Sequence, residues 1–113
     1  MAFTIYHNPR CSKSRETLAL LQANGVTPRV VEYLTSPPTG AELKKILKAL
    51  GLAARDLVRK KEAAEAGVDP QKLTEDEIIA AMQKHPVIIE RPIVVNGARA
   101  ALGRPPERVL DIL

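Results

Sequence analysis

Apolar and polar positions at the start of the chain are arranged as two strands around one helix. The β-prone run FTIY at residues 3–6 predicts a first strand, and RVVEY at residues 29–33 predicts a second. Residues 11–24 lie between them and predict a helix with one apolar side, which Gly25 ends. A strand, a helix and a strand in so short a segment predict a βαβ unit with two parallel strands.

The middle of the chain, about residues 39–85, changes to a helical period. The segments TGAE at 39–42 and TEDE at 74–77 are capping boxes, the Thr-x-x-Glu pattern that is typical of helix N-termini. Apolar residues follow each box at helical spacing, and a shorter helix-like run, AARDLVRKK at residues 53–61, lies between the two. We therefore predict three helices in this part of the chain.

Towards the end of the chain the apolar runs become short and β-prone again. VII at residues 87–89 and IVV at 93–95 are short β-prone runs split by ERP, and the dipeptide NG after IVV is the strongest hairpin signal in the sequence. It should join IVV to RAAL at 99–102 as an antiparallel pair. PERVLDIL at 106–113 begins with a proline and predicts a closing amphipathic helix.

The predicted order is βαβ, then three helices, then ββα. Without the middle helices, βαβ–ββα remains. This is the thioredoxin-like layout, an α/β fold with a mixed four-stranded sheet and helices on both faces, and the three helices form an insert between its halves. Because the 113-residue chain has no internal repeat and no linker, we expect residues 1–113 to form a single domain.

The composition limits the chemistry. Cys11 is the only cysteine, which excludes an internal disulfide and a zinc site built from several cysteines, and two histidines are few for any metal site. We therefore expect no metal and a reducing, cytoplasmic setting. No stretch resembles a signal peptide or approaches the length of a membrane span.

The chain has a formal net charge of +4 but only 3% aromatic residues. Few aromatics argue against a platform that stacks nucleic-acid bases, and no Lys/Arg block is long enough for a nucleic-acid-binding arm. The positive charge instead favours small anions focused into a cleft. We expect neither a nucleic acid nor a membrane as partner and, without a large apolar surface stripe, a monomer.

The stretch HNPRCSKSR at residues 7–15 carries the candidate chemistry. It places Cys11 at the start of the first predicted helix, among polar neighbours that suit a solvent-facing turn better than the buried position that a free cysteine often takes. The partial positive charge and unpaired N–H groups of a helix start stabilise a thiolate, so we predict that Cys11 is a nucleophile. The nearby side chains that would add positive charge or hydrogen bonds are His7, Arg10, Lys13, Arg15, Ser12 and Ser14.

The motif around the cysteine is Cys-Ser-Lys-Ser rather than Cys-x-x-Cys, so the chain has no second cysteine to resolve a disulfide. Any catalytic cycle through a disulfide therefore needs an external thiol. The phosphatase loop Cys-x5-Arg is absent too, because Thr17 stands where its arginine would fall.

Three arginines farther along the chain are candidate anion ligands. Arg91 directly precedes a proline, Arg104 lies in the break before the last helix, and Arg59 lies near the end of the short middle helix. In the thioredoxin layout, Arg91 arrives next to Cys11. Guanidinium groups match tetrahedral oxyanions, so together the three arginines suggest an oxyanion site. Each alone, and Arg59 most of all, also fits a solvated surface charge.

Four stretches, YHNPRCSKSRETLALL, LVRKKE, HPVIIERPIVV and GRPPERVLDIL, resemble the glutaredoxin-dependent arsenate reductase family of the thioredoxin-like superfamily. The match is collinear and spans almost the whole chain. The resemblance implies a cytoplasmic enzyme that reduces arsenate to arsenite, with glutathione as co-substrate, glutaredoxin as partner and no tightly bound cofactor.

The resemblance also implies roles for single residues. Cys11 matches the nucleophile, His7 the histidine associated with activating it, and Ser14 the serine thought to hold the thiolate. The arginines that it assigns to the oxyanion are Arg59, Arg91, Arg104 and, through the pattern His-x3-Cys-x3-Arg, Arg15. In the implied cycle the thiolate attacks As(V) and water leaves, glutathione attacks the adduct, and glutaredoxin removes the glutathione as arsenite leaves.

Two other functions remain open on the sequence alone. A thioredoxin-fold thiol enzyme with these residues could act on another oxyanion or on a glutathionylated protein. The superfamily also includes Spx-like regulators that bind RNA polymerase, but their redox sensors resemble Cys-x-x-Cys, which this chain lacks.

Overall fold

Four short strands form one mixed sheet in the order β2-β1-β3-β4. The computed structural model describes residues 3–113, and its strands are β1 (Phe3–His7), β2 (Arg29–Glu32), β3 (Ile93–Asn96) and β4 (Arg99–Leu102). Strand β1 pairs in parallel with β2 and antiparallel with β3, and β4 pairs antiparallel with β3. The predicted α/β class with a mixed four-stranded sheet is therefore confirmed.

Helix α1 (Ser12–Ala23) connects β1 to β2, as predicted. One core joins this helix to the sheet and to the C-terminal segment. Its buried members are Ile5, Leu21, Val94, Val109 and Ile112. Burying an aliphatic side chain of this size contributes roughly 1.5–3 kcal/mol. The core therefore holds α1 firmly against β1 and β3, the strands whose ends carry the candidate site.

The hairpin between β3 and β4 turns within two residues. Asn96 pairs with Arg99, which leaves Gly97 and Ala98 as the turn. Gly97 has a φ of 61°, the value that a type II′ turn requires at its first central position and that glycine adopts without strain. The NG signal thus predicted the hairpin correctly, and its asparagine is the last residue of the strand.

The structure divides into two compact units, one of which is the predicted insert. The first unit comprises residues 3–36 and Arg91–Leu113, and the second is Pro37–Glu90. The helices of the second unit are α2 (Gly40–Leu50), α3 (Lys60–Glu65) and α4 (Glu75–Lys84). The two predicted capping boxes are confirmed at the starts of α2 and α4, with hydrogen bonds of 2.9–3.2 Å. That residues 1–113 form a single domain stays a prediction.

The predicted helix at residues 53–61 is wrong, because the segment breaks in two. Ala54–Leu57 form a 3₁₀ turn, Val58 is extended, and α3 begins only at Lys60. The cause is a partner that is remote in the sequence, since Val58 pairs with Ile89 in an isolated antiparallel bridge. The extended backbone of that pairing cannot continue a helix.

The β-prone run at residues 87–89 does not form a strand, and the same bridge is the reason. Pro86–Ile88 form a 3₁₀ turn that begins with a proline, and Ile89 alone of these residues joins the bridge. The two backbone hydrogen bonds around the bridge measure 2.7 Å each. A short apolar run therefore indicated burial here, and not a full strand.

The last segment, Pro106–Ile112, is a 3₁₀ helix and not the predicted α-helix. It packs against α1 and β4. The side chain of Asn96 donates a hydrogen bond of 2.6 Å to the carbonyl of Ile112, and Arg99 donates to the carbonyl of Asp111. These donors satisfy carbonyl groups that the end of a helix leaves unpaired. Across residues 3–113, no helix has the length and apolar character needed to cross a membrane.

Candidate active site

Cys11 occupies the N-cap position of α1, as the sequence predicted. Its backbone is extended, with φ −93° and ψ 123°, and its carbonyl accepts the N–H of Arg15 at 3.0 Å. The side chain is partly exposed. The sulfur therefore lies at the positive end of a 12-residue helix dipole, where a solute can reach it and where a thiolate is favoured.

A tight turn before the helix places Cys11 at this position, and hydrogen bonds of Asn8 close that turn. The Asn8 carbonyl accepts the N–H of Cys11 at 3.0 Å, and the Asn8 side-chain oxygen accepts the N–H of Arg10 at 3.0 Å. This self-bonded turn is one that asparagine favours. The sequence analysis did not single out Asn8, although its place before a proline was a turn signal.

His7 and Ser14 form a buried pair beneath the turn. His7 Nδ1 lies 2.6 Å from Ser14 Oγ, and the Asn8 N–H donates to the same oxygen at 3.0 Å. Ser14 is fully buried at 0% exposure. In this structure the Ser14 hydroxyl therefore contacts the histidine and the backbone of the turn that precedes Cys11.

Burial lowers the pKa of His7 below its usual 6.5. Glu32 opposes this shift by its negative charge, and Arg15 adds to it by its positive charge. The neutral form of His7 is consequently favoured at pH 7. The contribution of positive charge from His7 beside Cys11 stays a prediction, and burial opposes it because an imidazolium would have to be desolvated in this position.

Arg15 is exposed and supports the turn from outside. Its guanidinium donates a hydrogen bond of 3.0 Å to the carbonyl of Pro9. With the backbone bond to the Cys11 carbonyl, Arg15 therefore holds both ends of the segment that leads into α1. The side chain lies against the loop, and its contact is with protein.

Arg104 reaches Cys11 from the opposite end of the chain. Its Nη2 lies 3.9 Å from Cys11 Sγ, and its Nε donates to the main-chain carbonyl of Arg91 at 2.7 Å. Both arginines are partly buried. The Arg91–Pro92 peptide, whose isomer the sequence left open, is cis. The first unit thus brings the Arg104 guanidinium to the nucleophile and places the main chain of Arg91 beside Arg104.

Arg59 belongs to the second unit, where it is the N-cap residue of α3. Its guanidinium pairs with Glu62 at 2.9 Å and with Glu90 at 3.5 Å. The Arg59 side chain is 22% exposed, so its charge is partly buried and ion-paired within the second unit. Any anion that binds Arg59 must compete with these two carboxylates.

The described part of the chain contains no cluster of possible metal ligands. Among residues 3–113, no group of three or more His, Cys, Asp or Glu side chains is arranged to hold a metal ion. The arrangement that the first unit supplies is a partly exposed cysteine sulfur beside a guanidinium, with a buried histidine behind the turn.

Comparisons with known proteins agree with this geometry. Residues 6–112 match the ArsC family. Over 112 residues the chain is 53% identical to the protein YfgD of Escherichia coli (strain K12), covering 96% of this chain and 94% of that protein. It is 46% identical over 115 residues to the arsenate reductase of Rhizobium meliloti (strain 1021), covering 100% of this chain and 82% of the relative.

Solved structures give the same result. The arsenate reductase from Vibrio cholerae superposes with a TM-score of 0.94 at 50% sequence identity, covering 100% of this chain and 98% of that one. The match extends over the sheet, α1 and the insert alike, since nearly the whole of both chains is aligned. From the sequence, the fold and these matches, the chain belongs to the ArsC family.

Proposed function

We propose that this protein is an arsenate reductase that uses Cys11 as its nucleophile and external thiols as its reductant. The observation that carries the proposal is the contact between the Arg104 guanidinium and the Cys11 sulfur at the start of α1. Such a pair stabilises a thiolate and offers donors to an oxyanion that approaches it. Relatives named arsenate reductases at 46% identity support arsenate as the substrate.

The first chemical step is attack on arsenic. The Cys11 thiolate forms an S–As bond with arsenate, and an arsenate oxygen leaves as water after taking up protons. Arsenic remains As(V) in this adduct. Arg104 and Arg91 stabilise the negative charge on the remaining oxygens, because guanidinium groups fixed in a partly desolvated site need little reorganisation.

Two further thiols complete the reaction. Glutathione forms a second S–As bond as another arsenic-bound oxygen leaves as water, and glutaredoxin then takes up the glutathione sulfur, so that the two thiols leave as one mixed disulfide. Their two electrons reduce As(V) to As(III), water cleaves the remaining Cys11 S–As bond, and arsenite departs as the Cys11 thiolate is regenerated. The chain has one cysteine, so an internal disulfide cannot supply these electrons. We expect the reaction in the cytoplasm, where glutathione keeps thiols reduced, and a monomeric enzyme.

Arg59 is the third proposed anion ligand. Its guanidinium is held by two carboxylates, so binding of the oxyanion requires it to exchange at least one of them for substrate oxygen. The exchange has an electrostatic cost, because the carboxylates that hold Arg59 stay close to it and repel the incoming anion. Arg59 is thus proposed as a substrate ligand that is kept paired until substrate binds.

The first test is a coupled assay of NADPH consumption with arsenate, glutathione, glutaredoxin and glutathione reductase. We expect consumption that depends on arsenate and that Cys11→Ser abolishes, because serine is a far weaker nucleophile at neutral pH. Equal consumption with the natural protein and with Cys11→Ser would contradict the mechanism. A folded natural protein that is alkylated readily at Cys11 but consumes no NADPH would contradict arsenate as substrate.

A further inference from the structure

We propose that Gly103 is a positioning residue that sets how closely Arg104 approaches the Cys11 sulfur, with Thr17 of α1 as the surface against which it packs. The inference rests on the proposed function of Arg104 as an oxyanion ligand. It concerns a residue that touches neither sulfur nor substrate.

Gly103 lies where no side chain fits. A Cβ added to it would lie 2.4 Å from Thr17 Oγ1, 3.0 Å from Thr17 Cγ2 and 2.7 Å from Pro92 Cγ. Real Cβ atoms do not come within 3.0 Å of other heavy atoms, so a neighbour would have to move. The φ of Gly103 lies outside the left-handed region, so the position demands space and not a glycine backbone conformation.

The neighbours of Gly103 have little freedom to move. Thr17 is fully buried, and its hydroxyl donates to the Lys13 carbonyl at 2.8 Å, which fixes its rotamer. Pro92 is buried and has a rigid ring, and its carbonyl accepts the N–H of Gly103 at 2.9 Å. The backbone of residue 103 is therefore the part that would yield.

The direction of that movement matters for the site. Thr17 lies on α1, the helix whose start carries Cys11, so relief of the overlap shifts the chain at residue 103 away from α1. Arg104 is the next residue and would move with it. Its 3.9 Å contact with Cys11 Sγ is already long, so a shift of a few tenths of an ångström weakens it.

Two hydrogen bonds, besides the absence of a side chain at residue 103, hold this segment in place. The Gly103 N–H binds Pro92, and the Arg104 Nε binds the carbonyl of Arg91, so the two arginine-bearing segments lie side by side. The missing side chain lets this pair of segments approach Thr17 on α1, the helix that begins at the nucleophile. Gly103 acts through Arg104, so replacing Gly103 should weaken anion binding before it disturbs the fold.

The test uses Gly103→Ala, with Gly40→Ala as the matched control. A Cβ at Gly40 meets nothing closer than 3.4 Å, and that residue lies at the start of α2 in the other unit. The readout is protection of Cys11 from iodoacetamide by arsenate, expressed as the ratio of alkylation rates without and with arsenate. This ratio reports anion binding at the thiol and does not require turnover.

We expect Gly103→Ala to weaken arsenate protection about tenfold, the loss of one charge-assisted contact, and to raise KM more than it lowers kcat. Gly40→Ala should protect as the natural protein does. Adding Thr17→Ala to Gly103→Ala removes two of the three close contacts and should restore part of the protection. Thermal unfolding midpoints identify any variant that fails to fold.

Unchanged protection in folded Gly103→Ala would overturn the role of Gly103 while leaving the proposed function intact. A loss of protection that Thr17→Ala does not relieve would overturn the packing argument. If arsenate fails to protect Cys11 in the natural protein, the oxyanion site itself is wrong, and the role of Gly103 is wrong with it.

Discussion

The contact between His7 and Ser14 limits which further hydrogen bonds each of these side chains can make. Neutral His7 has one ring proton, and the 2.6 Å separation from Ser14 holds a single proton. When Nδ1 carries the proton, the hydroxyl hydrogen of Ser14 is left for another acceptor. When Nε2 carries it, Ser14 donates to His7. The tautomer of His7 therefore decides whether Ser14 has a hydrogen to offer near Cys11.

We expect His7 to make the folded protein less stable in mild acid. Burial lowers the pKa of His7 in the folded protein below 6.5, whereas the unfolded chain keeps the usual value. The unfolded state therefore binds the proton first. The contribution of His7 to the free energy of unfolding is complete above about pH 6.5 and falls as the pH drops through this value towards the lowered pKa.

Urea unfolding of the natural protein and of His7→Gln, between about pH 8 and about pH 5.5, measures this contribution. Glutamine does not titrate, so the variant should lose less stability over the same range. Carboxylates other than Glu32, whose charge interacts with His7, protonate alike in both proteins and cancel in the difference. Parallel stability curves would show that protonation of His7 does not oppose folding.

At the scale of elements, local signals predicted their own structures and distant contacts decided the rest. The capping boxes at Thr39 and Thr74 were recognisable because all their partners lie within four residues. The break at Val58 was not, because its cause is a bridge to Ile89. A short window of sequence shows that such residues are apolar, but not what they pair with.

In the candidate site, too, features set by local sequence were predictable and features set by distant contacts were not. The position of Cys11 at a helix start followed from the local pattern, and the thioredoxin layout brought Arg91 towards it. The paired state of Arg59 and the crowding around Gly103 depend on contacts between distant segments, which no spacing in the sequence reveals. Family resemblance named the arginines, and the structure adds which carboxylates and carbonyls hold them.

The proposed anion ligand Arg59 lies at the N-terminus of helix α3. Arg59 caps the helix, and Glu62 in the first turn both pairs with Arg59 and complements the helix dipole. A carboxylate within 2.9 Å of an anion-binding guanidinium opposes anion binding. We therefore expect Glu62→Gln to lower the KM for arsenate about threefold, because one competing charge is removed while the side-chain shape is kept.

The matched control is Glu65→Gln, which removes an exposed carboxylate from the last turn of the same helix. Its KM for arsenate should stay close to that of the natural protein. The coupled assay measures both variants. A higher KM for Glu62→Gln would mean that the carboxylate orients Arg59 for the substrate, which contradicts competition.

At the scale of the whole molecule, the net charge is confined to one part of the chain. Residues 1–36 and 91–113 contain eight Lys or Arg and four Asp or Glu, whereas residues 37–90 contain nine of each. The unit with Cys11 therefore carries the entire excess of +4. Its thiol reacts in a positive field, which attracts anions at low ionic strength.

We expect salt to slow the reaction of Cys11 with iodoacetate severalfold more than its reaction with uncharged iodoacetamide, since salt screens the attraction for the anion alone. The ratio of the two alkylation rates, measured from low to high sodium chloride, tests this. Glutathione serves as the reference. Its thiolate repels iodoacetate, so salt should not slow the reaction of iodoacetate with glutathione. The same salt response in the protein and in glutathione would contradict the attraction.

The order of strands in the sheet has a consequence for synthesis on the ribosome. Strand β1 lies between β2 and β3, but β3 follows the whole second unit in the chain. During elongation, at about 5–20 residues per second, β1 therefore waits with one edge unpaired while residues 37–90 are made. Cys11 emerges early, and Arg91 and Arg104 emerge last. A prematurely terminated product would carry the proposed nucleophile without the arginines proposed to bind the oxyanion.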